Sequence, residues 1–168
     1  MKRLLVALAI LLSIAPPPAR SENDLPAPSG QVILTVTGKI GTTNADGAAV
    51  FDLAMLDAMA GREMTAETPW FDGVHTFTGT LLSAVLDAAG ASGAALRVRA
   101  INGYEAVIPM EDVNAYPIIL ATRIDGKVLS VRDKGPIFVI YPFDASPELY
   151  NEVYFGRSVW QVEAMEVL

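Results

Sequence analysis

Several aromatic and charged side chains stand near the ends of predicted strands, and their chemistry suits a flat heteroaromatic ligand. Aromatic rings offer faces for stacking, a carboxylate accepts paired N–H donors, and a guanidinium or ammonium donates to a carbonyl oxygen. Each ring taken alone is explained equally well as a core residue, so the prediction rests on the combination. The residues that we predict on these grounds to bind a ligand are Trp70, Asp72, Tyr104, Arg132, Asp133, Lys134, Tyr141, Arg157 and Trp160.

Catalysis by the chain's own side chains finds little support in the sequence. The chain has one histidine and no cysteine. Any triad or metal site that needs two imidazoles is therefore excluded, as are a thiolate nucleophile and a zinc–thiolate or iron–sulfur centre. His75 is more simply explained as a surface or strand-edge residue. No G-x-S-x-G, G-x-G-x-x-G or phosphate loop occurs. The segment EDVN, residues 111–114, lacks the glycine and spaced acids of a calcium loop and predicts a capped helical turn.

Strands must position most of these candidate residues, and apolar patterning predicts them along the whole chain after residue 30. The predicted strands are QVILTVTG, REMTAETPW, VHTFTG, ALRVRAI, YEAVIP, PIILATRI, PIFVIYP and VWQVEAMEVL. In the last of these, Val162, Ala164 and Glu166 are predicted to share one face. Asn-Gly at 102–103 and Asp-Gly at 125–126 predict tight hairpins.

Short helices are predicted early in the chain. FDLAMLDAMAG has helical spacing with Asp52 as its N-cap and Gly61 as its stop, and TLLSAVLDAAGA has Thr80 as its cap. FDASPELYNEVYFGR, residues 143–157, predicts a long acidic loop. Early helices followed by many strands favour an α+β fold with a mixed, mostly antiparallel sheet over a doubly wound parallel one.

The first 20 residues have the layout of a secretory signal peptide: a basic start, an apolar run from Leu4 to Ile14, and then prolines. The apolar run is short for a membrane span, so an uncleaved anchor is the less favoured alternative. We therefore predict a signal peptide over 1–20, a linker over 21–30 and one exported domain over 31–168. Cleavage would leave 9 of the 12 basic residues beside 19 acidic ones. Nucleic acid and direct membrane insertion are not expected.

The second half of the chain resembles the sulfite-oxidase-type molybdopterin-binding domain. Its segments AINGYEAVIPMEDV, YPIILATRIDGKVL, RDKGPIFVIYPFD and RSVWQVEAMEV follow the order of that family's motifs. FTGTLLSAVLDAAGA also resembles a helix of the family. The resemblance covers nearly all of the chain after residue 30, and it implies a sulfite-oxidase-like molybdopterin-binding fold.

The chain departs from that family at the metal site. The family holds molybdenum through a cysteine thiolate, whose place falls near Glu67, and a carboxylate is a poor substitute for that soft ligand. Lys134 stands where the enzymes carry a phosphate-binding His or Lys, whereas Phe138 and Val159 stand at two other basic positions. These departures imply a pterin site without molybdenum, in which molybdopterin is the less favoured cofactor.

This combination is similar to a cysteine-less subgroup of small periplasmic pterin-binding regulators. The resemblance implies a non-catalytic protein that senses a reduced pterin, of the tetrahydromonapterin or neopterin type. It further implies a partner, the periplasmic domain of a membrane-bound diguanylate cyclase or phosphodiesterase of cyclic-di-GMP signalling. We expect Trp70 and Trp160 to be stacking walls. Asp133 or Glu67 is the expected acceptor for the 2-amino-4-oxo edge, and the expected donors are Arg157, Lys134 or Arg132.

Two alternatives from other classes remain open at the level of sequence. One is a molybdopterin-dependent oxidoreductase of the sulfite oxidase family whose metal lacks a protein thiolate. The other is an interaction domain in which the chain's own side chains fill the ancestral pocket. Metal content separates the first from a pterin sensor, and ligand binding separates the second.

Overall fold

A computed structural model describes residues 25–168 of the chain. The predicted signal peptide and the start of the predicted linker lie outside the described residues. No helix in the described part is long and apolar enough to cross a membrane.

Strands dominate the described chain. Their bounds are β1 (Val32–Gly38), β2 (Ala49–Asp52), β3 (Gly61–Thr68), β4 (Phe71–Leu81), β5 (Ala95–Ala100), β6 (Glu105–Pro109), β7 (Ile119–Ile124), β8 (Lys127–Val128), β9 (Phe138–Ile140) and β10 (Val162–Val167). They form two sheets, one with the order β2-β1-β10-β5-β6 and one with the order β3-β4-β7-β8, in which β9 also pairs with β7. Strands β1 and β10 are parallel, and the other pairs are antiparallel. The predicted α+β class with mostly antiparallel pairing is confirmed.

Short helical segments connect the strands. They are α1 (Leu53–Asp57), α2 (Leu82–Ala88), α3 (Met110–Ala115) and α4 (Glu152–Arg157), with 3-10 turns at Val131–Asp133 and Pro147–Leu149. Helices this short are not stable alone, so packing against the sheets must hold them. One cluster of buried apolar side chains serves both sheets, with Leu34 and Val98 from the first and Phe77 and Leu120 from the second.

Asp52 caps α1, as predicted. Its carboxylate accepts a hydrogen bond from the Met55 N–H at 2.8 Å, and further bonds from the N–H groups of Gly30 and Ser29. The pKa of Asp52 is lowered by these hydrogen bonds, and the bond from the Met55 N–H has the largest effect. The same carboxylate therefore starts the helix and fixes the chain just before β1.

Two other predicted helix boundaries, at Thr80 and Gly61, are wrong. Thr80 belongs to β4, and its hydroxyl donates to the Leu56 carbonyl at 2.6 Å, while α2 begins after Leu81 without a side-chain cap. Gly61 does not end α1, which stops earlier, but opens β3. Gly61 and Thr80 are paired with each other between β3 and β4. Strand pairing therefore outweighs the local signals that predicted helix boundaries at these residues.

The predicted face of the last strand is also wrong, because β10 is irregular. Its pairing with β5 shifts register between Val162 and Ala164. The buried side chains are consequently Val162, Met165 and Val167, while Glu166 is partly exposed. An irregularity of this kind adds a residue to one strand and breaks the alternation of faces.

Gly79 lets β4 and β7 approach closely, and we predict that Gly79→Ala destabilises the protein. A Cβ at this position would collide with the Leu120 carbonyl oxygen of β7, so we expect a loss of roughly 1–3 kcal/mol, as for overpacking. Gly156 in α4 is the matched control, because its added Cβ would meet only the Tyr104 hydroxyl at 4.0 Å. Gly156→Ala should raise stability by about 0.5–1 kcal/mol. Urea unfolding of both variants tests the prediction, and equal effects would contradict it.

Candidate ligand-binding cavity

A cavity of about 340 Å³ opens between α4 and the β5–β6 turn. This volume lies within the range of small-molecule sites, which combine apolar walls with a few polar groups. Three sequence-distant segments meet there: the β3–β4 turn, the β5–β6 turn, and the stretch from α4 to β10. The residues that line the cavity are Trp70, Ala100, Asn102, Tyr104, Glu152, Phe155, Gly156, Ser158, Val159 and Trp160.

The two tryptophans of the chain form one corner of the cavity. Their ring centroids are 6.3 Å apart with an angle of 69° between the planes. Phe138 packs edge-on against both, 5.0 Å from Trp70 and 6.0 Å from Trp160, and Phe155 lies 5.7 Å from Trp70. Because the indole planes are steeply inclined to each other, a planar group placed in this corner would contact the face of one and the edge of the other. They do not form a parallel sandwich.

The polar groups of the cavity come from its two turns and from α4. Glu152 supplies a carboxylate at the first position of α4, and Asn102 supplies an amide from the β5–β6 turn. Tyr104 is half exposed, and its hydroxyl donates to the Gly156 carbonyl at 2.9 Å, which joins the β5–β6 turn to α4. The Ser158 hydroxyl donates to the Tyr154 carbonyl. No lysine or arginine of the described chain lines this cavity.

Lys134 lies next to the cavity without lining it. Its Nζ is 4.7 Å from the Trp160 ring centroid and 5.5 Å from that of Phe71. Its φ of 71° places it in the left-handed region, which is uncommon for a residue with a side chain. A cation over an indole face is stabilised by the ring quadrupole. The ammonium group of Lys134 therefore contacts one part of the Trp160 ring, and Trp160 also lines the cavity.

Arg157 and Tyr141, both predicted to bind ligand, contact a buried carboxylate instead. The Tyr141 hydroxyl donates to Asp112 Oδ2 at 2.7 Å, and Arg157 Nη1 donates to the same oxygen at 2.7 Å. The guanidinium also lies 5.5 Å from the Tyr154 ring centroid. Burial, and then the bond to Asp112, raise the pKa of Tyr141 far above its usual range, so the phenol stays a donor. This network fixes the last residue of α4, whose earlier turn lines the cavity.

The remaining predicted site residues lie away from the cavity. Asp72 is exposed in the β3–β4 hairpin, and Arg132 and Asp133 are exposed on the 3-10 turn, where Asp133 accepts from Ser130 at 2.6 Å. Glu67 lines a separate open groove of about 480 Å³ beside β3. The structure thus brings together Trp70, Tyr104 and Trp160, and leaves the other predicted residues outside.

Aromatic side chains in mutual contact lie between the cavity and the groove. Phe143 and Tyr150 line the groove, and Phe155 and Trp70 line the cavity. Phe143 lies 6.2 Å from Trp70 and 5.8 Å from Phe155, and Tyr150 lies 4.9 Å from Phe155. The segment 143–157, predicted as a loop, contains a 3-10 turn and α4, and it contributes to both depressions.

Sequence reasoning missed Asn102, Glu152 and Phe155 as lining residues and Asp112 as the partner of Arg157. A local signal existed for α4, because Asn151 is a preferred cap and accepts from the Val153 N–H at 3.0 Å. Recognition of that cap would have placed Glu152 and Phe155 on a helix. Nothing local marks Asp112 as different from its acidic neighbour Glu111.

His75 is held by acceptors on both ring nitrogens. Nδ1 lies 2.7 Å from Asp125 Oδ2, and Nε2 lies 3.0 Å from the Asp72 carbonyl oxygen. The hydrogen bond to Asp125, and then that to Asp72, raise the pKa of His75 above its ordinary 6.5. Bonds from the Thr76 N–H and then from His75 lower the pKa of Asp125. The charged pair joins the tip of the β3–β4 hairpin to the β7–β8 turn.

We predict that this pair makes stability fall as the solution becomes alkaline. A raised folded-state pKa stabilises the protein fully below pH 6.5, and that contribution is lost as the pH rises through the raised pKa. Urea unfolding between about pH 6 and about pH 9 should show the decline in the wild type and not in His75→Asn. The ring signal of the one histidine, followed by NMR, should titrate above 6.5. Parallel stability profiles of the two proteins would contradict the prediction.

The described residues contain no group of three His, Asp or Glu side chains arranged to hold a metal ion. No family model and no curated protein matches the chain. On fold and geometry, the molecule is an α+β domain with an aromatic-lined cavity of small-molecule size.

Proposed function

We propose that the protein is a non-catalytic pterin-binding protein with a sulfite-oxidase-like fold, exported to the periplasm. The observation that carries this proposal is the cavity, which Trp70, Trp160 and Glu152 all line. A pterin, whether reduced or not, contains a planar pyrimidinone ring with a face for stacking and a 2-amino-4-oxo edge that displays adjacent N–H donors. The cavity supplies the complement of each feature, a ring to stack on and an anionic acceptor.

Glu152 replaces Asp133 and Glu67 as the proposed acceptor for the amino-pyrimidinone edge. It is the carboxylate that lines the cavity, whereas the other two acids lie elsewhere. Asn102 provides both a donor and acceptors for the ring carbonyl or for side-chain hydroxyls. Trp160 and Trp70 then provide the stacking face and the edge contact.

The charge of the lining favours a pterin without phosphate over molybdopterin. Phosphate groups are bound in proteins by Arg, Lys or clustered backbone N–H groups. Among the described residues that line the cavity there is a carboxylate and no basic side chain. A phosphate beside Glu152 would be repelled, whereas the hydroxylated side chain of tetrahydromonapterin or neopterin would not.

For the biological role, we propose that the pterin-bound protein regulates a membrane-bound diguanylate cyclase or phosphodiesterase through its periplasmic domain. This part rests on the resemblance described from the sequence. It is supported by the position of segment 143–157, which lines the cavity through α4 and also reaches the molecular surface, where Glu148 and Val153 are exposed. A ligand that orders this segment would change a surface available to a partner.

The ligand is tested by adding tetrahydromonapterin to the mature protein while tryptophan fluorescence and melting temperature are followed. We expect a saturable change in fluorescence and a rise in melting temperature with ligand concentration, because the ligand binds the folded state. Pterin and lumazine, which share an unreduced ring system without a side chain, form the matched pair, and lumazine carries an oxo group in place of the 2-amino group. It should bind more weakly, since it turns a carbonyl toward Glu152. No saturable change and no rise in melting temperature would refute the proposal.

A further inference from the structure

The free edge of β3 and the groove beside it have the features of a docking site for an extended peptide. Among the described strands, β3 is the outer strand of its sheet and pairs with β4 alone. The Leu81 N–H donates to the Ala60 carbonyl, which fixes the phase of the β3–β4 ladder. Because hydrogen-bonded and non-bonded pairs alternate, the backbone N–H and C=O groups of Gly61, Glu63, Thr65 and Glu67 point away from β4.

No backbone group of the described chain pairs with this edge, and the Glu63 carbonyl accepts one long hydrogen bond, from Arg62 Nε at 3.4 Å. The groove of about 480 Å³ runs along the edge and is closed on its far side by the segment 143–150. Its apolar wall consists of Phe143, Pro147 and Tyr150, and Val74 of β4 borders it. An extended segment placed here would gain backbone hydrogen bonds from β3 and would bury alternate side chains against the wall, which is the chemistry of strand addition.

The charge of the groove specifies the occupant. Glu63 and Glu67 are exposed on β3, and Asp144 and Glu148 lie on the opposite segment. Arg62 is the one cation on β3, and it is already paired with Asp144 at 2.9 Å. The edge is therefore acidic, and it complements an extended segment with lysine or arginine at alternate positions.

The same charges disfavour a second copy of the chain as the occupant. Antiparallel pairing of two β3 strands about Thr65 would set Glu63 of each copy opposite Glu67 of the other. Like charges directly opposite each other destabilise a strand pair, and charged residues are a common means of keeping sheet edges apart.

We propose that this groove binds an extended, basic segment of a partner protein by strand addition to β3. The proposal does not depend on the pterin, because it concerns a different depression of the surface. A partner bound here would also contact Phe143 and Tyr150, which pack against the rings of the cavity wall.

The probe for this site is a synthetic peptide, acetyl-Lys-Val-Lys-Val-Lys-Val-Lys-amide, titrated into ¹⁵N-labelled protein. We expect saturable amide shifts confined to β3 and the segment 143–150. Added salt should weaken the binding of the peptide, because it screens the charges. The same peptide with glutamate in place of lysine should not bind. Failure to see saturable shifts, shifts located elsewhere, or equal binding of the acidic peptide would overturn the proposal.

Thr65→Pro removes an edge donor without removing a backbone hydrogen bond of the β3–β4 ladder, and it should weaken peptide binding by about tenfold or more. It also removes the 2.9 Å hydrogen bond between the Thr65 and Thr76 hydroxyls, which Thr65→Val removes alone. Val107→Pro is the matched control, since by the same alternation its N–H points away from β5 at the edge of the other sheet. Glu67→Lys keeps every backbone group and should also weaken binding. Undiminished binding to both groove variants would overturn the proposal. So would dimerisation of the wild type that Thr65→Pro abolishes.

Discussion

Replacement of Asp112 by alanine is expected to destabilise the protein by about 2–4 kcal/mol, because it removes the acceptor of a buried phenol and the counter-charge of a partly buried guanidinium. Asp112 is buried and accepts from both the Tyr141 hydroxyl and Arg157 Nη1 at 2.7 Å. Its loss would leave a phenol in the core without an acceptor and a guanidinium without a counter-charge. Because Arg157 ends α4, the wall of the cavity should loosen as well. Urea unfolding followed by circular dichroism measures the loss.

Glu163→Ala is the matched control for Asp112→Ala. It removes the partner of Arg99 in a surface pair whose atoms are 3.2 Å apart, and such exposed pairs contribute at most about 1 kcal/mol. Asp112→Asn separates charge from hydrogen bonding, since it keeps an acceptor for Tyr141 but cannot neutralise Arg157. Similar losses for Asp112→Ala and Glu163→Ala would show that the network around Asp112 is not what holds α4.

The second large effect is expected for ligand binding by Trp160→Ala. Loss of one stacking ring should weaken the binding of tetrahydromonapterin roughly 10- to 100-fold, as found when an aromatic platform is removed from a stacked base. Trp160 lines the cavity and carries the Lys134 cation on its ring at 4.7 Å. Removal of the indole therefore eliminates the stacking face and frees a cation beside the site. Calorimetric titration of the wild type and the variant measures the change.

Two further variants serve as controls for Trp160→Ala. Trp160→Phe keeps a ring and should retain much of the affinity, even if the alanine variant proves unstable. Tyr116→Leu removes an aromatic ring that packs on Tyr154, with centroids 6.2 Å apart, outside the cavity lining. Its affinity should match the wild type. Equal affinities of the wild type and both Trp160 variants would place the ligand outside this cavity.

The strands could be predicted because their signals are local. Alternating apolar residues and an Asn-Gly turn at 102–103 determine the β5–β6 hairpin, and the Asp-Gly turn at 125–126 determines β7–β8. The division into two sheets was not predicted. It depends on the parallel pairing of β1 with β10, which joins residues such as Thr35 and Ala164 across nearly the whole chain, and no local pattern encodes that contact.

The site was predictable only in part, for a similar reason. Residue type singled out Trp70, Tyr104 and Trp160, and the structure brings all three to one cavity. Residue type did not show which charges are already satisfied. Arg157 is a reasonable ligand donor in the sequence, yet in the fold Asp112 binds it. Whether a charged side chain is free for a ligand depends on its partners in space.

The corner formed by Trp70 and Trp160 is the proposed binding site of the pterin ring. The chain contains two tryptophans, so its ¹⁵N–¹H spectrum contains two indole signals, one from each wall of the cavity. Titration with tetrahydromonapterin should shift both signals saturably and with one dissociation constant, and Glu152→Gln should raise that constant by about tenfold. Indole signals that remain unchanged, or that shift without saturation, would contradict the claim.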